Sequence, residues 1–263
     1  MRGIVSFLSD FGLADTYVGQ VKGAIAQMAP EVRVIDLTHE IPAHDVRTGA
    51  FLLMTSVEVF PPGTVHLAVV DPGVGSARRA VAAKSARGDL FVGPDNGLLV
   101  SGVERLGGQV TLFDVSGESN WGPRRSATFH GRDLFGPVAA RLAAGADPAT
   151  MGPPLDALST PFVLPSPLVD PRGGVRGEVL HVDKFGNLVT NIAAQLLPPK
   201  SFSVRVGEAI VRGAPHLSYA SVAPGELLAV VGSAGYLEVS ARDASASLRT
   251  KSRRGDPVAV EPT

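Results

Sequence analysis

Apolar residues in the first half of the chain recur with two periods, one typical of strands and one typical of helices. Short apolar runs at residues 4–8, 32–37 and 64–70 have the length of buried strands. Residues 17–29 carry apolar side chains at helical spacing, and Pro30 follows them. The same reasoning predicts further helices over residues 46–60, 96–103 and 134–144, and further strands over residues 80–83, 90–92 and 109–115. This alternation predicts an α/β fold with a mainly parallel sheet and helices on both faces.

The second half of the chain has a different texture. Prolines cluster between residues 147 and 174, which is typical of an extended linker. Beyond them helical periodicity disappears, and Gly207-Glu208 between two alternating runs predicts a tight hairpin. Repeated short strands with turn signals predict a smaller, all-β, barrel-like domain. We therefore predict an α/β domain over residues 1–160, a proline-rich linker over residues 161–174 and a β domain over residues 175–263.

The composition of the chain limits which binding partners and which cellular location are expected. The formal net charge is −1, so no nucleic acid and no anionic membrane is expected as a partner. The chain has no cysteine, which excludes disulfides and thiolate catalysis and favours a cytoplasmic location. The apolar run at the N-terminus is too short for a signal peptide, and no run has membrane-spanning length.

The segment from Val69 to Arg79 carries the most chemical information. It places Asp71 at the end of an apolar strand, then a Gly/Pro loop, then Arg78 and Arg79. In open α/β sheets ligands bind at such strand ends, and an arginine beside an aspartate keeps the carboxylate ionised and fixed. His130, far along the chain, precedes another predicted helix. With no cysteine present, these residues indicate that water is the nucleophile, although a structural ion pair and a structural loop histidine are the alternatives.

Three further segments have the residue types of a nucleoside site. Asp10 ends the first predicted strand, where a carboxylate can bind ribose hydroxyls, or instead cap a helix or a turn. Phe185-Gly186-Asn187 offers a ring face and an amide to an adenine, or is simply a hairpin turn. The small residues of the segment 232–238 let the backbone approach a ligand closely, or form a β-bulge or tight turn.

A metal-dependent phosphohydrolase is an alternative function that uses His39, His44 and Asp71. The spacing of these histidines is not that of a helical His-Glu-x-x-His motif, so no metal site is predicted.

Taken in order, six motifs form one pattern. They are Ser9-Asp10-Phe11-Gly12, Asp71-Pro72-Gly73-Val74-Gly75 with Arg78-Arg79, Pro94-Asp95-Asn96-Gly97-Leu98-Leu99, Phe129-His130-Gly131-Arg132-Asp133, Asp183-Lys184-Phe185-Gly186-Asn187 and Gly232-Ser233-Ala234-Gly235-Tyr236-Leu237-Glu238. The chain resembles the S-adenosylmethionine (SAM) hydrolase family, the SAM hydroxide adenosyltransferases, which is related to fluorinase and chlorinase. The resemblance covers nearly the whole chain and is weakest in the linker and the C-terminal tail.

The resemblance implies hydrolysis of SAM to adenosine and methionine by attack of water or hydroxide at the ribose 5′ carbon, a nucleophilic substitution that needs no metal or cofactor. It assigns the water-directing role to Asp71, Arg78 and His130, and contact with the ribose to Asp10. The remaining substrate contacts that it implies are Asn187, Ser233 and Glu238 for adenosine, with Phe185 and Tyr236 as pocket walls. It also implies a homotrimer whose active site lies between the α/β domain of one subunit and the β domain of the next.

The resemblance also allows two other functions, and particular residues argue against each of them. Halogenase relatives carry a neutral residue where this chain has Asp71, so the carboxylate favours hydrolysis over halide attack. A non-catalytic SAM or adenosine sensor is disfavoured because Asp71, Arg78 and His130 are all present. His44 departs from the family pattern, in which an aromatic residue is frequent, and this affects the expected wall of the methionine pocket.

Overall fold

The computed structural model describes residues 3–159 and 164–263. Its internal contacts divide the chain into two compact units, Met1–Val163 and Leu164–Thr263. The predicted domain end at residue 160 and the predicted linker start at residue 161 lie outside the described residues. Within the described ranges, no helix has the length and apolar character needed to cross a membrane.

A six-stranded sheet forms the centre of the first unit, in the order β2-β1-β3-β5-β4-β6. The strands are β1 (Ile4–Ser9), β2 (Arg33–Thr38), β3 (Val65–Val69), β4 (Ala80–Ser85), β5 (Leu90–Pro94) and β6 (Gln109–Asp114). Strands β2, β1, β3 and β5 are parallel, whereas β4 is antiparallel to both β5 and β6. The prediction of a mainly parallel sheet is therefore confirmed. The β4–β5 pair is antiparallel because a short turn joins its strands.

Helices cover both faces of this sheet. They are α1 (Tyr17–Met28), α2 (Val46–Ser56), α3 (Val100–Arg105) and α4 (Gly136–Ala143). Successive residues of a strand point to opposite faces. Accordingly Phe7 lies in the core that contains Val21 of α1, and Leu8 in the core that contains Leu53 of α2.

Three of the predicted helices differ from the observed ones at their ends. The helix predicted over residues 46–60 ends at Ser56 and continues as a single 3₁₀ turn, Val57–Val59. The helix predicted over residues 96–103 starts only at Val100, because Asn96 uses its side chain in a turn. The one predicted over residues 134–144 is preceded by a wide π turn, Gly131–Phe135.

The second unit is an antiparallel sheet that nearly closes on itself. Its strands are β7 (Leu168–Val169), β8 (Val175–Val182), β9 (Leu188–Ala193), β10 (Phe202–Val206), β11 (Ala209–Ala214), β12 (Leu227–Val231), β13 (Tyr236–Ala241) and β14 (Pro257–Pro262), with one short helix, α5 (Ala246–Thr250). Their order is β11-β10-β14-β8-β9-β13-β12, and β7 pairs with β8. Just beyond β11, the backbone N–H of His216 donates to the carbonyl of Ala229 in β12, so the two end strands approach each other.

The barrel-like prediction for the C-terminal part is confirmed, and so is the tight hairpin, since Gly207-Glu208 joins β10 to β11. Val204, Phe202 and Leu237 are fully buried in its core. Within the proline-rich segment, which is predicted to be an extended linker, Leu168–Val169 form a two-residue strand that pairs with β8.

Candidate active site

Asp71 and Arg78 form a forked ion pair at the carboxyl edge of the sheet. Asp71 follows β3 and Arg78 precedes β4. The Nε atom of Arg78 donates to Oδ1 of Asp71 at 2.9 Å and to Oδ2 at 3.1 Å, and Nη2 also donates to Oδ2. The side chains are only 6% (Asp71) and 12% (Arg78) exposed. This geometry fixes the carboxylate plane, because the guanidinium matches both oxygens at once.

His130 joins this pair from a distant segment. Its Nδ1 atom lies 2.8 Å from Nη2 of Arg78. The Trp121 ring meets the imidazole edge-on, with 5.0 Å between the ring centroids. The guanidinium carbon of Arg78 lies 5.0 Å from the ring centre of Phe135. The three residues predicted to direct water are therefore in contact within the first unit.

A close approach at Gly75 brings these two segments together. The loop after Asp71 turns tightly, with the N–H of Val74 donating to the carbonyl of Asp71. Gly75 has φ +78°, and a Cβ there would lie 2.6 Å from the carbonyl oxygen of Ala127. Only glycine fits such a position without displacing the neighbouring backbone. The loop therefore packs directly against the segment that leads to His130.

The environment of His130 favours a neutral imidazole. Burial lowers its pKa, the Arg78 charge lowers it further, and Asp71 and Asp133 oppose the shift. A guanidinium can only donate hydrogen bonds, so Nδ1 of His130 accepts and the ring proton is assigned to Nε2. His130 also borders a cavity of about 420 Å³, which Gly75 and Trp121 line with it.

Asp10 lies at the same sheet edge, one strand away. Ser9 of β1 pairs with Val69 of β3, so Asp10 follows its strand beside the end of the neighbouring one. Its Oδ2 accepts a hydrogen bond from the backbone N–H of His44 at 2.8 Å. The helix-cap alternative for Asp10 is wrong, because the N-cap of α1 is Thr16.

The metal alternative finds no support in the placement of its residues. His39 is buried, with Nδ1 2.7 Å from the Ser9 hydroxyl and Nε2 3.3 Å from Asp36 Oδ1. Asp71 is instead engaged by Arg78. Across residues 3–159 and 164–263, no group of three or more histidine, aspartate or glutamate side chains is arranged to hold a metal ion.

The other predicted substrate contacts lie in the second unit. Asn187 precedes β9, where its side-chain amide donates to Asp183 Oδ2 at 2.8 Å and its backbone N–H donates to Oδ1. Phe185 lies in the same turn, and the residue is 74% exposed. Ser233 is exposed in the turn between β12 and β13, and Tyr236 begins β13.

Glu238 is the buried carboxylate of this second group. It pairs across strands with Val189, just after Asn187. Its Oε1 accepts from the Tyr219 hydroxyl at 2.9 Å. Burial raises the pKa of Glu238, and burial together with the Glu238 charge raises the pKa of Tyr219 to about 12. Gly232 leaves room for this carboxylate, because a Cβ there would lie 2.0 Å from its Oε2.

Sequence reasoning missed three residues of these environments: Trp121 against His130, Phe135 beneath Arg78, and Tyr219 on Glu238. Trp121 is the single tryptophan of the chain, but its position carries no motif that links it to His130. These contacts join segments that the local pattern does not relate.

The fold and the site define a class of protein. Its chain has an α/β unit followed by a β unit, and at the edge of the α/β sheet an arginine binds both a carboxylate and a neutral imidazole. The family model described as the SAM hydroxide adenosyltransferase N-terminal domain matches residues 5–152, and its C-terminal counterpart matches residues 177–259. The chain therefore belongs to the SAM hydroxide adenosyltransferase family.

Individual relatives agree with this membership. A protein of Salinispora tropica named (R)-S-adenosyl-L-methionine hydrolase is 48% identical over 90% of this chain and 89% of its own. One of the same name from Thermus thermophilus is 41% identical over 97% and 98%. A fluorinase of an Actinoplanes species is 30% identical over 72% and 71%. A solved structure from Thermotoga maritima, titled an uncharacterized conserved protein, matches with a TM-score of 0.91 and 35% identity over 98% of this chain and 100% of its own.

Proposed function

We propose that this protein hydrolyses SAM to adenosine and L-methionine through attack of water on the ribose 5′ carbon. Relatives at 41–48% identity, matched over nearly their whole length, carry the name (R)-S-adenosyl-L-methionine hydrolase. The observation that carries the proposal in this chain is the contact between Asp71, Arg78 and His130.

Cleavage of SAM at the 5′ carbon needs no general acid. The leaving group is a neutral thioether that departs from a cationic sulfonium, so it needs no proton. The difficulty lies in the nucleophile, because water is weak and an ordinary aspartate is a weak base for it. Asp71 accepts a hydrogen bond from the water and stabilises the positive charge that develops on it. Arg78 holds that carboxylate in place. Placing the water in line with the bond that breaks lowers the activation barrier by several kcal/mol, on the order of 7 for well-oriented groups.

His130 completes the water site as a hydrogen-bond donor. With Nδ1 occupied by Arg78, its Nε2–H donates to the water oxygen. The water donates one hydrogen bond to Asp71 and accepts one from His130. One lone pair remains for the carbon. Once the bond from oxygen to the 5′ carbon has formed, the oxygen is strongly acidic and its extra proton passes to Asp71. His130 therefore orients the water rather than taking its proton.

The adenosine part of SAM is assigned to both units. Asp10 binds the ribose hydroxyls, and the adenine contacts are Asn187, Ser233 and Glu238, with Phe185 and Tyr236 as walls. We propose that the protein is a homotrimer in which the α/β unit of one subunit and the β unit of its neighbour share each site. Phe185 is largely exposed in its own unit, which supports the proposal that it contacts the substrate at a shared site.

Halogenation is the competing activity because fluorinases are relatives. A halide at 4 Å from the Asp71 carboxylate meets a repulsion of about 4 kcal/mol at an effective dielectric constant near 20. Hydrolysis is therefore favoured. The proposed reaction uses no metal or cofactor, and the absence of cysteine supports a cytoplasmic location.

Incubation of the purified protein with SAM and EDTA, followed by chromatography, tests this proposal. We expect adenosine and methionine in equal amounts, and far less adenosine from a matched Asp71→Asn preparation. No adenosine from the wild type at any pH between 5 and 9 overturns the proposal. If 5′-chloroadenosine is the main product in chloride, the halogenase alternative is correct.

A further inference from the structure

The turn after β5 contacts the chain immediately before Asp71. The side-chain amide of Asn96 donates to the carbonyl of Val70 at 2.8 Å, and its oxygen accepts from the N–H of Leu98 at 3.2 Å. Val70 is fully buried and precedes Asp71 in the chain. Asn96 therefore fixes the peptide from which the Asp71 side chain projects.

The residue before Asn96 makes the equivalent contact just after Arg78. The Asp95 carboxylate, 0% exposed, accepts from Nε of Arg79 at 2.9 Å and from Nη2 at 2.6 Å. It also accepts from the N–H of Ser159 at 2.9 Å, while the N–H of Asp95 donates to the Arg79 carbonyl at 3.0 Å. Asp95 thus fixes both the side chain and the backbone of the residue that follows Arg78.

We propose that Asp95 and Asn96 are positioning residues for the Asp71–Arg78 pair. This inference rests on the proposed function, because it concerns the same water site. The two residues hold opposite ends of the loop that runs from Val70 to Arg79. The hydrogen bonds from Arg78 to Asp71, at 2.9 and 3.1 Å, form only when both ends of this loop are held at the correct separation. Asp95 and Asn96 act through the residues next to the pair and do not touch the substrate.

A purely structural role is the alternative, and the chain offers a matched control at the other end of β5. The Asp89 carboxylate is also 0% exposed and is also bound by Nε and Nη2 of an arginine, Arg87, at 2.7 and 2.9 Å. Asp89 precedes β5, whereas Asp95 follows it. Replacing Asp89 therefore breaks a similar buried ion pair away from the edge that carries Asp71.

The experiment compares steady-state kinetics and melting temperatures of Asp95→Asn, Asn96→Ala and Asp89→Asn. We expect kcat to fall about tenfold to a hundredfold in the first two, with KM for SAM changed less than about threefold. Asp89→Asn should lose as much melting temperature and keep its kcat within about twofold. Equal kcat losses in all three variants, or no kcat loss in the first two, overturn the proposal.

Two additional variants separate positioning from misfolding. Asn96→Asp keeps the acceptor for Leu98 but loses the donor to Val70, so it should lose kcat as Asn96→Ala does. In an Asp71→Asn background, Asn96→Ala should have no further effect on the residual rate, because it acts through Asp71. Full additivity of the two losses contradicts the inference.

A readout without activity distinguishes failure of this inference from failure of the proposed function. The Nε–H resonance of Arg78, observed by ¹⁵N NMR, reports its hydrogen bond to Asp71. We expect this resonance to shift and exchange faster with water in Asp95→Asn and Asn96→Ala, and to be unchanged in Asp89→Asn. An unchanged resonance in all three variants overturns the positioning role, whatever the wild type does with SAM.

Discussion

The Nη2 atom of Arg78 lies 2.8 Å from Nδ1 of His130. Because a guanidinium has no acceptor, this contact assigns the imidazole proton to Nε2 and leaves the ring without a free lone pair for a proton from water. In the proposed mechanism His130 is therefore a hydrogen-bond donor to the water, and a side chain that offers an N–H at the same place should be able to replace it.

Replacement of His130 tests that assignment. Glutamine carries an amide N–H near the position of Nε2, whereas alanine carries nothing there. We expect His130→Gln to retain activity within about tenfold of the wild type, and His130→Ala to lose about a hundredfold or more. Measured kcat values under saturating SAM check this. Equally inactive variants would mean that the histidine acts as a base.

Asp71→Asn should separate chemistry from binding. In the proposed mechanism the carboxylate acts on water, so the variant should lose most of its turnover while its dissociation constant for SAM stays within about tenfold. Isothermal titration calorimetry and single-turnover kinetics measure the two quantities. If SAM binding disappears while the circular dichroism spectrum is unchanged, Asp71 is mainly a substrate contact.

Stability should decrease on acidification because of a buried histidine in the first unit. His66 is fully buried, with Nδ1 2.7 Å from the Ser6 hydroxyl, and burial lowers its pKa. The folded state then binds fewer protons than the unfolded state once pH falls below the ordinary histidine value of about 6.5. The contribution of neutral His66 is fully present above that pH and is lost as pH falls through the lowered pKa.

Melting temperatures between pH 7.5 and 5 test this effect. We expect a smaller decrease over that range in His66→Gln than in the wild type, although the variant is less stable at every pH. The exposed His44 supplies the control, and His44→Gln should decrease as the wild type does. Parallel curves for all three proteins would contradict the linkage.

The proposed trimer makes a prediction about mixed subunits. Asp71→Asn carries its lesion in the α/β unit, and Asn187→Ala carries its lesion in the β unit. If neighbouring subunits share each site, exchange between the two inactive proteins restores some sites with both units intact. Activity above that of either parent should appear after exchange. Mixed oligomers verified by mass spectrometry that regain nothing would show that each site belongs to one chain.

The sequence predicted the parallel part of the sheet well because the period of apolar residues reports burial directly. Strand β1 ends at Ser9, one residue beyond the apolar run at residues 4–8, and Asp10 follows at the sheet edge. The start of α3 was predicted too early, since a polar side chain at Asn96 competes for the backbone at that point. Periodicity alone does not detect such competition.

The partners of the site residues were harder to predict than the residues themselves. Tyr219 reaches Glu238, and Trp121 packs against His130. Each pair depends on how distant segments pack in three dimensions, and neither follows a helical or strand period. Motif spacing therefore indicates which residues carry the chemistry, whereas their electrostatic surroundings depend on tertiary packing.

The absence of a side chain at Gly75 determines which substitutions this position can accept. A single methyl group there would collide with the carbonyl of Ala127, 2.6 Å away. Relief of that collision would move the Asp71 loop and the His130 segment apart. Because Gly75 carries no Cβ, the loop that holds Asp71 packs against the segment that leads to His130, and a larger residue at this position would separate the two halves of the proposed water site.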